Sequence, residues 1–396
     1  MKQATVLFAR KAILDSQYKI YAYQLLLAPN TMSPNDGISD ILSSLFLDLP
    51  IENVVDDKPI FIDMDINNIH SLPALPFNKI VIFLKASKKE ILQYRPYLES
   101  LTADGYHFGL INPNLEELTQ NELQYFIYSK LSVVFYGITN LVEYANSEKL
   151  FNKKIIMMDI TIKQQLDEIT ELTSISLFSE DLLNIREYVK ENKVPTYKSL
   201  ISKVLTLINS PLVNLGDISA AIEIDSTLSY KIIKLTKSAM YYQNFNISNV
   251  QRALEVIGLR DLSKWFGIAL LTSIEGKPDC LYRMAISRAY FVQSLAEVLY
   301  PKLEGAFITG LFSYLPVFFD EEMQVLLKDL PLDSKINTAL IHHDGKLGTA
   351  LKVVCLYESG QWRKIPFSSF GHLGLGKEQL KEMYINSLKK TQELEF

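Results

Sequence analysis

Up to about residue 179, short runs rich in β-branched and aromatic residues recur along the chain. They are TVLFA at 5–9, IYAYQLLL at 20–27, IFIDM at 60–64, IVIFL at 80–84, HFGLI at 107–111, VVFY at 133–136 and IIMM at 155–158. Runs of this length and composition, set between polar and turn-forming residues, predict β-strands. Between them, 38–47 and 88–101 place apolar residues three or four apart, the period of a helix that covers one face of a sheet. Strand and helix in alternation predict βα units around a parallel sheet, closed as a barrel or doubly wound.

Beyond Pro195 the strand-like runs disappear and a 3.6-residue period takes over, at 198–208, 218–223, 228–238 and 250–256. The polar segment KENKVP at 190–195 ends on a proline, which disfavours helix at the residue before it, so a linker is expected there. The chain therefore reads as an α/β domain at 1–190 followed by an all-helical domain at 191–396. Asp225, Asn249 and Asp261 are candidate helix N-caps, and Gly258 and Gly276 candidate helix stops.

Composition narrows the function. With 48% hydrophobic and 21% charged residues in a chain of 396, more than one hydrophobic core is affordable. A formal net charge of -5 argues against a broad nucleic-acid surface, whose affinity rests on clustered Lys and Arg. Apolar runs such as 265–271 fall short of the roughly 20 residues a membrane-spanning helix needs. The N-terminus reads as strand and turn and lacks the pattern of a signal peptide, so a cytoplasmic protein is expected. Cys280 and Cys355 are the sole cysteines, too far apart for a CxxC motif, and are expected to be buried free thiols.

The opening LFARKAILDSQYKIYAYQLLLAPN resembles the start of EAL domains, (β/α)-barrel enzymes that hydrolyse cyclic di-GMP with two metal ions. LINSPLVNLGDISAAIEIDSTLSYKIIKLTKSA, followed by ISNVQRALEVIGLRDLSKW, resembles an HDOD domain, a helical relative of the HD phosphohydrolases. AFITGLFSYLP, LPLDSKINTALIHHDGKLG and VCLYESGQW extend the likeness to the two-domain EAL–HDOD signalling family. The implied architecture is a degenerate EAL-type barrel followed by an all-helical HDOD domain with a C-terminal extension.

The EAL resemblance also implies a ligand set against which these residues can be read. Hard divalent cations need oxygen ligands at the C-terminal ends of the strands. The namesake glutamate falls at Gln24, a neutral amide, and an asparagine falls at Asp63. A further glutamate falls at Phe83, and the paired aspartates at Ile111 and Asn112. The family's strand-borne lysine falls near Phe135. Asp159 stands where a late glutamate is usual, and Ser179, Glu180 and Asp181 replace a glutamine-glycine-tyrosine turn. Bulky Phe83, Ile111 and Phe135 predict a filled cleft. Asp63 is a weak metal candidate, and Asp63 and Asp65 read more simply as solvated carboxylates ending a strand.

In the helical half, the His and Asp that name the HD phosphohydrolases fall at Ser313 and Tyr314, and the upstream helix LYRMAISRAYF offers no histidine. His342 and His343 beside Asp344 are further weak metal candidates. Adjacent helical residues point about 100° apart, however, so a polar helix end before Gly345 is the simpler reading. Arg252, Arg260 and Lys264 near Trp265 suggest a small basic patch or a solvated helix face.

The expectation is therefore a protein without catalytic, cofactor or metal sites, an adaptor in cyclic di-GMP signalling. Through the resemblance it would act on motility, surface attachment or biofilm behaviour by contact with other signalling proteins. Cyclic di-GMP binding without turnover, an active phosphodiesterase or phosphohydrolase with unusual ligands, and a homodimer through the α/β domain remain open alternatives.

Overall fold

In the computed structural model, residues 6–28, 52–72, 79–147, 150, 152–170, 172, 175–185, 200, 203–208, 210, 212–236, 247, 249–272, 274, 276–328 and 330–394 are described. The chain divides into two compact units, Met1–Ile185 with Glu358–Trp362, and Arg186–Tyr357 with Arg363–Phe396. The expected helix at 38–47 and the expected linker at 190–195 lie outside the described residues.

The first unit is a closed barrel of β1 (Phe8–Asp15), β2 (Ile20–Leu27), β3 (Ile60–Asp65), β4 (Ile80–Lys85), β5 (His107–Ile111), β6 (Phe126–Ser132), β7 (Lys154–Met158) and β8 (Ile175–Ser179), in sequence order. β1 runs antiparallel to both β2 and β8, and the other neighbours pair in parallel. Between strands lie α1 (Glu52–Val55), α2 (Lys88–Ala103), α3 (Gln120–Leu123), α4 (Val133–Tyr136), α5 (Ile138–Ala145) and α6 (Lys163–Thr170). At the start of α2, Ser87 and Glu90 form a reciprocal capping box, which satisfies two of the helix's orphan N–H groups.

Two expectations are corrected. The run 133–136 is helical and not a strand, because the Ser132 hydroxyl accepts from the Phe135 N–H at 3.3 Å and caps a turn there. The strand is the preceding FIYSKLS of β6. The expected strand at 5–9 is displaced to β1, and β8 goes beyond the strands expected from sequence.

Alternate residues of each strand point inward, as a two-residue period requires. Ile13, Ala22, Phe61, Val81, Phe83, Tyr128, Ile156 and Leu177 meet in the barrel core, with Tyr21, Ile111 and Met158 packed against them. Gly109 makes room for this packing, since a Cβ there would lie 2.4 Å from Phe83 Cε1. Toward the strand starts, Lys154 Nζ donates to the Tyr21 hydroxyl at 2.8 Å, and Tyr21 and Tyr128 share a 2.8 Å hydrogen bond.

The second unit is helical. Residues 203–208 are helical, followed by α7 (Leu215–Ile222), α8 (Ser226–Leu235), α9 (Val250–Ile257), α10 (Leu259–Leu271), α11 (Asp279–Leu299), α12 (Ala306–Phe312), α13 (Leu315–Phe319), α14 (Met323–Lys328), α15 (Ser334–His342), α16 (Gly345–Glu358), α17 (Phe367–Phe370) and α18 (Lys377–Gln392). Asp225 caps α8 by accepting from Leu228 N at 2.9 Å, and Asn249 caps α9 by accepting from Arg252 N at 2.8 Å. Asp261 is not a cap, because α10 begins two residues earlier, after Gly258.

Helix α11 is the spine of this unit, packing against α12 and α18. Gly310 allows α12 to approach it closely, since a Cβ there would sit 2.7 Å from Ala289 Cα. Phe291, Tyr357 and Tyr384 interlock with ring centroids 5.1 to 5.6 Å apart, in the tilted and edge-on arrangements aromatic rings favour. Among the described residues, no helix is long and apolar enough to cross a membrane.

Candidate functional site

The C-terminal ends of the parallel strands gather polar side chains above the apolar barrel core. Each follows from the inward alternation continued one step past an apolar residue: Asp63 after Phe61 on β3, Lys130 after Tyr128 on β6, Gln24 after Ala22 on β2.

At the centre, Lys130 forms a short ion pair with Asp63 Oδ1, while Gln24 Nε2 donates to Asp63 Oδ2 at 2.8 Å. Lys130 also lies 4.1 Å from the centre of the Phe83 ring, a favourable place for a cation. Its side chain is only 2% exposed, against 39% for Asp63. Burial pushes the Lys130 ammonium down from its ordinary value, and the Asp63 charge pulls it back up. Gln24 is buried as well, and its Oε1 has no hydrogen-bond partner among the described residues.

Around this pair the strand ends are tied to one another. Asn112 and Asp159, which follow β5 and β7, both take left-handed backbone conformations, with φ of 45° and 60°. The Ser132 N–H donates to Asn112 Oδ1 at 2.9 Å, and the Ser132 hydroxyl makes a short bond to Asp159. After β8, Asp181 pairs with Lys11 at 3.1 Å and accepts from the Ser179 hydroxyl at 2.7 Å. Glu180 accepts from Ala12 N at 2.6 Å, and burial pushes its carboxyl up to about 7.

These positions test the ligand set that the EAL resemblance implies. Asp63 is not the freely solvated carboxylate expected from sequence, since both its oxygens are engaged by Lys130 and Gln24. Asp65 does have a purely local role, capping the turn of 66–71 by accepting from Asn67 N at 2.9 Å. Phe83 is fully buried in the core and Ile111 packs against it, so neither strand end presents an oxygen ligand there. Phe135 is 64% exposed on α4 and takes no part in the mouth, contrary to expectation. The lysine that reaches Asp63 is Lys130 on β6, whose signal in the sequence is a lone cation inside the FIYSKLS run.

Two divalent cations, each wanting about six oxygens, do not fit this set. The central carboxylate already faces an ammonium, and Gln24 offers one neutral oxygen. Among the described residues, no group of three or more His, Cys, Asp and Glu side chains is placed to hold a metal ion. What the arrangement holds is a polar mouth in which Asp63 is paired with Lys130 and Asp181 with Lys11.

In the helical unit, Ser313 follows α12 and donates to Gly310 O at 2.7 Å, while Arg288 Nη1 donates to its hydroxyl at 3.2 Å. The Arg288 guanidinium stacks 4.1 Å from the centre of the buried Tyr314 ring. His342 ends α15 and His343 caps it with φ 56°. Burial first, and then Lys352 and Arg288, push the His343 imidazole down, while Asp344 pulls it back up. The suggested basic patch is divided: Arg252 pairs with Glu255 at 2.6 Å, whereas Lys264 turns toward the buried Tyr290 ring, 4.7 Å from its centre.

Against known proteins, residues 194–319 match the HDOD domain model. The chain is 23% identical over 419 residues to the uncharacterized protein YuxH of Bacillus subtilis, covering 97% of each. It is 22% identical over 404 residues to the cyclic di-GMP phosphodiesterase CdgJ of Vibrio cholerae, covering 98% of this chain and 93% of that one. Among solved structures, the calcium and cyclic di-GMP complex of BlrP1 from Klebsiella pneumoniae aligns at 13% identity with a TM-score of 0.35, over 44% of this chain and 54% of that one.

Proposed function

We propose that this chain, an EAL-type barrel followed by an HDOD domain, is a non-hydrolytic signalling adaptor in the cyclic di-GMP network. It acts by protein–protein contact, and the processes implied by the resemblance are motility, surface attachment and biofilm behaviour. The observation that carries this reading is the engagement of both Asp63 oxygens by Lys130 and Gln24. A cation is thus already paired with Asp63, the mouth carboxylate read from the sequence as a weak metal candidate. Phe83 and Ile111 then stand where further acidic ligands would be needed.

The helical domain supports the same reading. Ser313 and Tyr314 are held by Arg288, and a guanidinium repels the divalent cation that HD chemistry requires. With chemistry disfavoured in both domains and a packed core retained in each, the surfaces are the product.

A second reading has one specific support. The relative CdgJ, alike over nearly the full length, is called a cyclic di-GMP phosphodiesterase. Purified full-length protein incubated with cyclic di-GMP and Mn²⁺ or Mg²⁺ separates the two. The adaptor reading expects the dinucleotide to be recovered intact, while metal-dependent appearance of the linear product identifies an enzyme. Saturable binding without product would place the protein as a nucleotide-responsive effector.

A further inference from the structure

Lys264 sits half-buried against aromatic rings drawn from three helices. Its ammonium nitrogen lies 4.7 Å from the centre of the Tyr290 ring on α11, 5.2 Å from that of Phe307 on α12 and 5.5 Å from that of Trp265, beside it on α10. All three rings are buried, and Tyr290 and Phe307 meet edge to face with centroids 5.2 Å apart. The wall around Lys264 is thus packed core and not a set of mobile surface side chains.

A second lysine reaches the same place. Lys390, exposed on α18, puts its nitrogen 5.5 Å from the centre of that same Tyr290 ring. One ring therefore fixes the positions of two ammonium groups. Among the described residues, neither has a hydrogen-bond or ion-pair partner.

Aromatic faces attract a cation but do not replace the hydrogen bonds it makes to water, so Lys264 loses hydration without full compensation. Burial accordingly pushes its ammonium down from the ordinary value; Asp261 pulls it back, Lys390 pushes it further down and Glu297 pulls it up. Glu297 is also engaged by Gln293, whose Nε2 donates to it at 2.9 Å. A lysine desolvated against apolar groups and set beside a second cation carries a larger share of neutral, nucleophilic amine.

We propose that Lys264 is a nucleophilic lysine and a site of acylation, with an acyl phosphate as donor and Lys390 drawing in its phosphate. The neutral Nζ attacks the carbonyl carbon, and an amide N–C bond forms as the C–O bond to phosphate breaks. Inorganic phosphate leaves with the electron pair, and the amine proton passes to water. The product has lost the positive charge that met the three rings, so the modification changes the electrostatics where α10, α11 and α18 come together. The inference concerns the helical unit and holds whether or not the barrel is catalytic.

The test incubates the full chain with acetyl phosphate and follows each lysine by peptide mass spectrometry. Lys264 is expected to be acetylated about ten-fold faster than Lys335, an exposed lysine on α15, the low end of what charge focusing and desolvation supply. Lys390→Met should slow Lys264 acetylation about ten-fold, and Lys390→Arg, which keeps the charge, should not. Lys390 is exposed, so its variants are expected to fold, and far-UV circular dichroism checks this. Acetylation of Lys264 no faster than that of Lys335 would overturn the proposal, as would a rate that Lys390→Met leaves untouched. A neutral acetyl thioester serves as a second donor: equal slowing of both donors by Lys390→Met would overturn the assignment to acyl phosphates.

Discussion

Lys130 and Asp63 form an ion pair that joins β6 to β3 across the mouth of the barrel, and the two partners differ sharply in exposure, 2% against 39%. The pair is therefore asymmetric. Removing the carboxylate leaves a buried ammonium uncompensated, whereas removing the ammonium leaves a carboxylate that water can reach.

Asp63→Asn is accordingly expected to cost about 3 kcal/mol, within the range for stranding a buried charge. Lys130→Met should cost about 1 kcal/mol, since hydration rescues Asp63. The double variant should be more stable than Asp63→Asn alone. Chemical denaturation of the three proteins checks the order, and a Lys130→Met protein less stable than Asp63→Asn would show that the carboxylate is the stranded partner.

The Phe83 ring fills the space over Gly109, with Cε1 at 2.4 Å from where a Cβ would sit. Gly109→Ala should destabilise the barrel by about 1 to 3 kcal/mol through overpacking. Combining it with Phe83→Leu should restore part of the loss. Equal melting temperatures for Gly109→Ala and the parent would mean that the ring moves aside freely.

In the helical unit, Gly310 faces backbone and not the end of a flexible side chain, with Ala289 Cα at 2.7 Å and Arg288 O at 2.9 Å from where a methyl carbon would sit. Gly310→Ala must therefore push α12 away from α11, and a loss of about 2 kcal/mol or more is expected. A second substitution on α11 should not recover it, because the obstructing atoms are backbone. Thermal unfolding followed by far-UV circular dichroism measures both effects.

Much of the fold is legible in the sequence because most strands bury one face and show it. Runs such as IVIFL and HFGLI are apolar for that reason, and the helical half announces itself by its 3.6-residue period. β6 escapes the pattern for a reason tied to the site. Its inward positions Tyr128, Lys130 and Ser132 turn polar toward the mouth, so FIYSKLS lacks the expected apolar stripe, while VVFY imitates one. Functional positions are where local pattern and fold are expected to disagree. The pairing of Asp63 with a lysine 67 positions away is not legible in the sequence, since it depends on barrel closure.

Glu180 supplies a pH dependence with a defined sign. Its folded-state value is raised from 4.5 to about 7, with burial as the leading cause. The folded protein thus holds a proton that the unfolded chain releases near 4.5. Its stabilising contribution is complete below that pH and is lost as pH rises through about 7. Glu180→Gln should flatten the stability profile between about pH 5 and about 7. A profile identical to the parent's would assign the dependence to other groups.

With Asp63 held by Lys130 and Gln24, the proposed adaptor role requires that the mouth of the barrel not support metal-dependent hydrolysis. The most direct test incubates the full-length protein with cyclic di-GMP and either Mn²⁺ or Mg²⁺ and separates the nucleotides by chromatography. Intact cyclic di-GMP, at the level of a protein-free control, is the predicted result. Linear dinucleotide that forms with metal, and disappears in Asp63→Ala when that variant is folded, would contradict it.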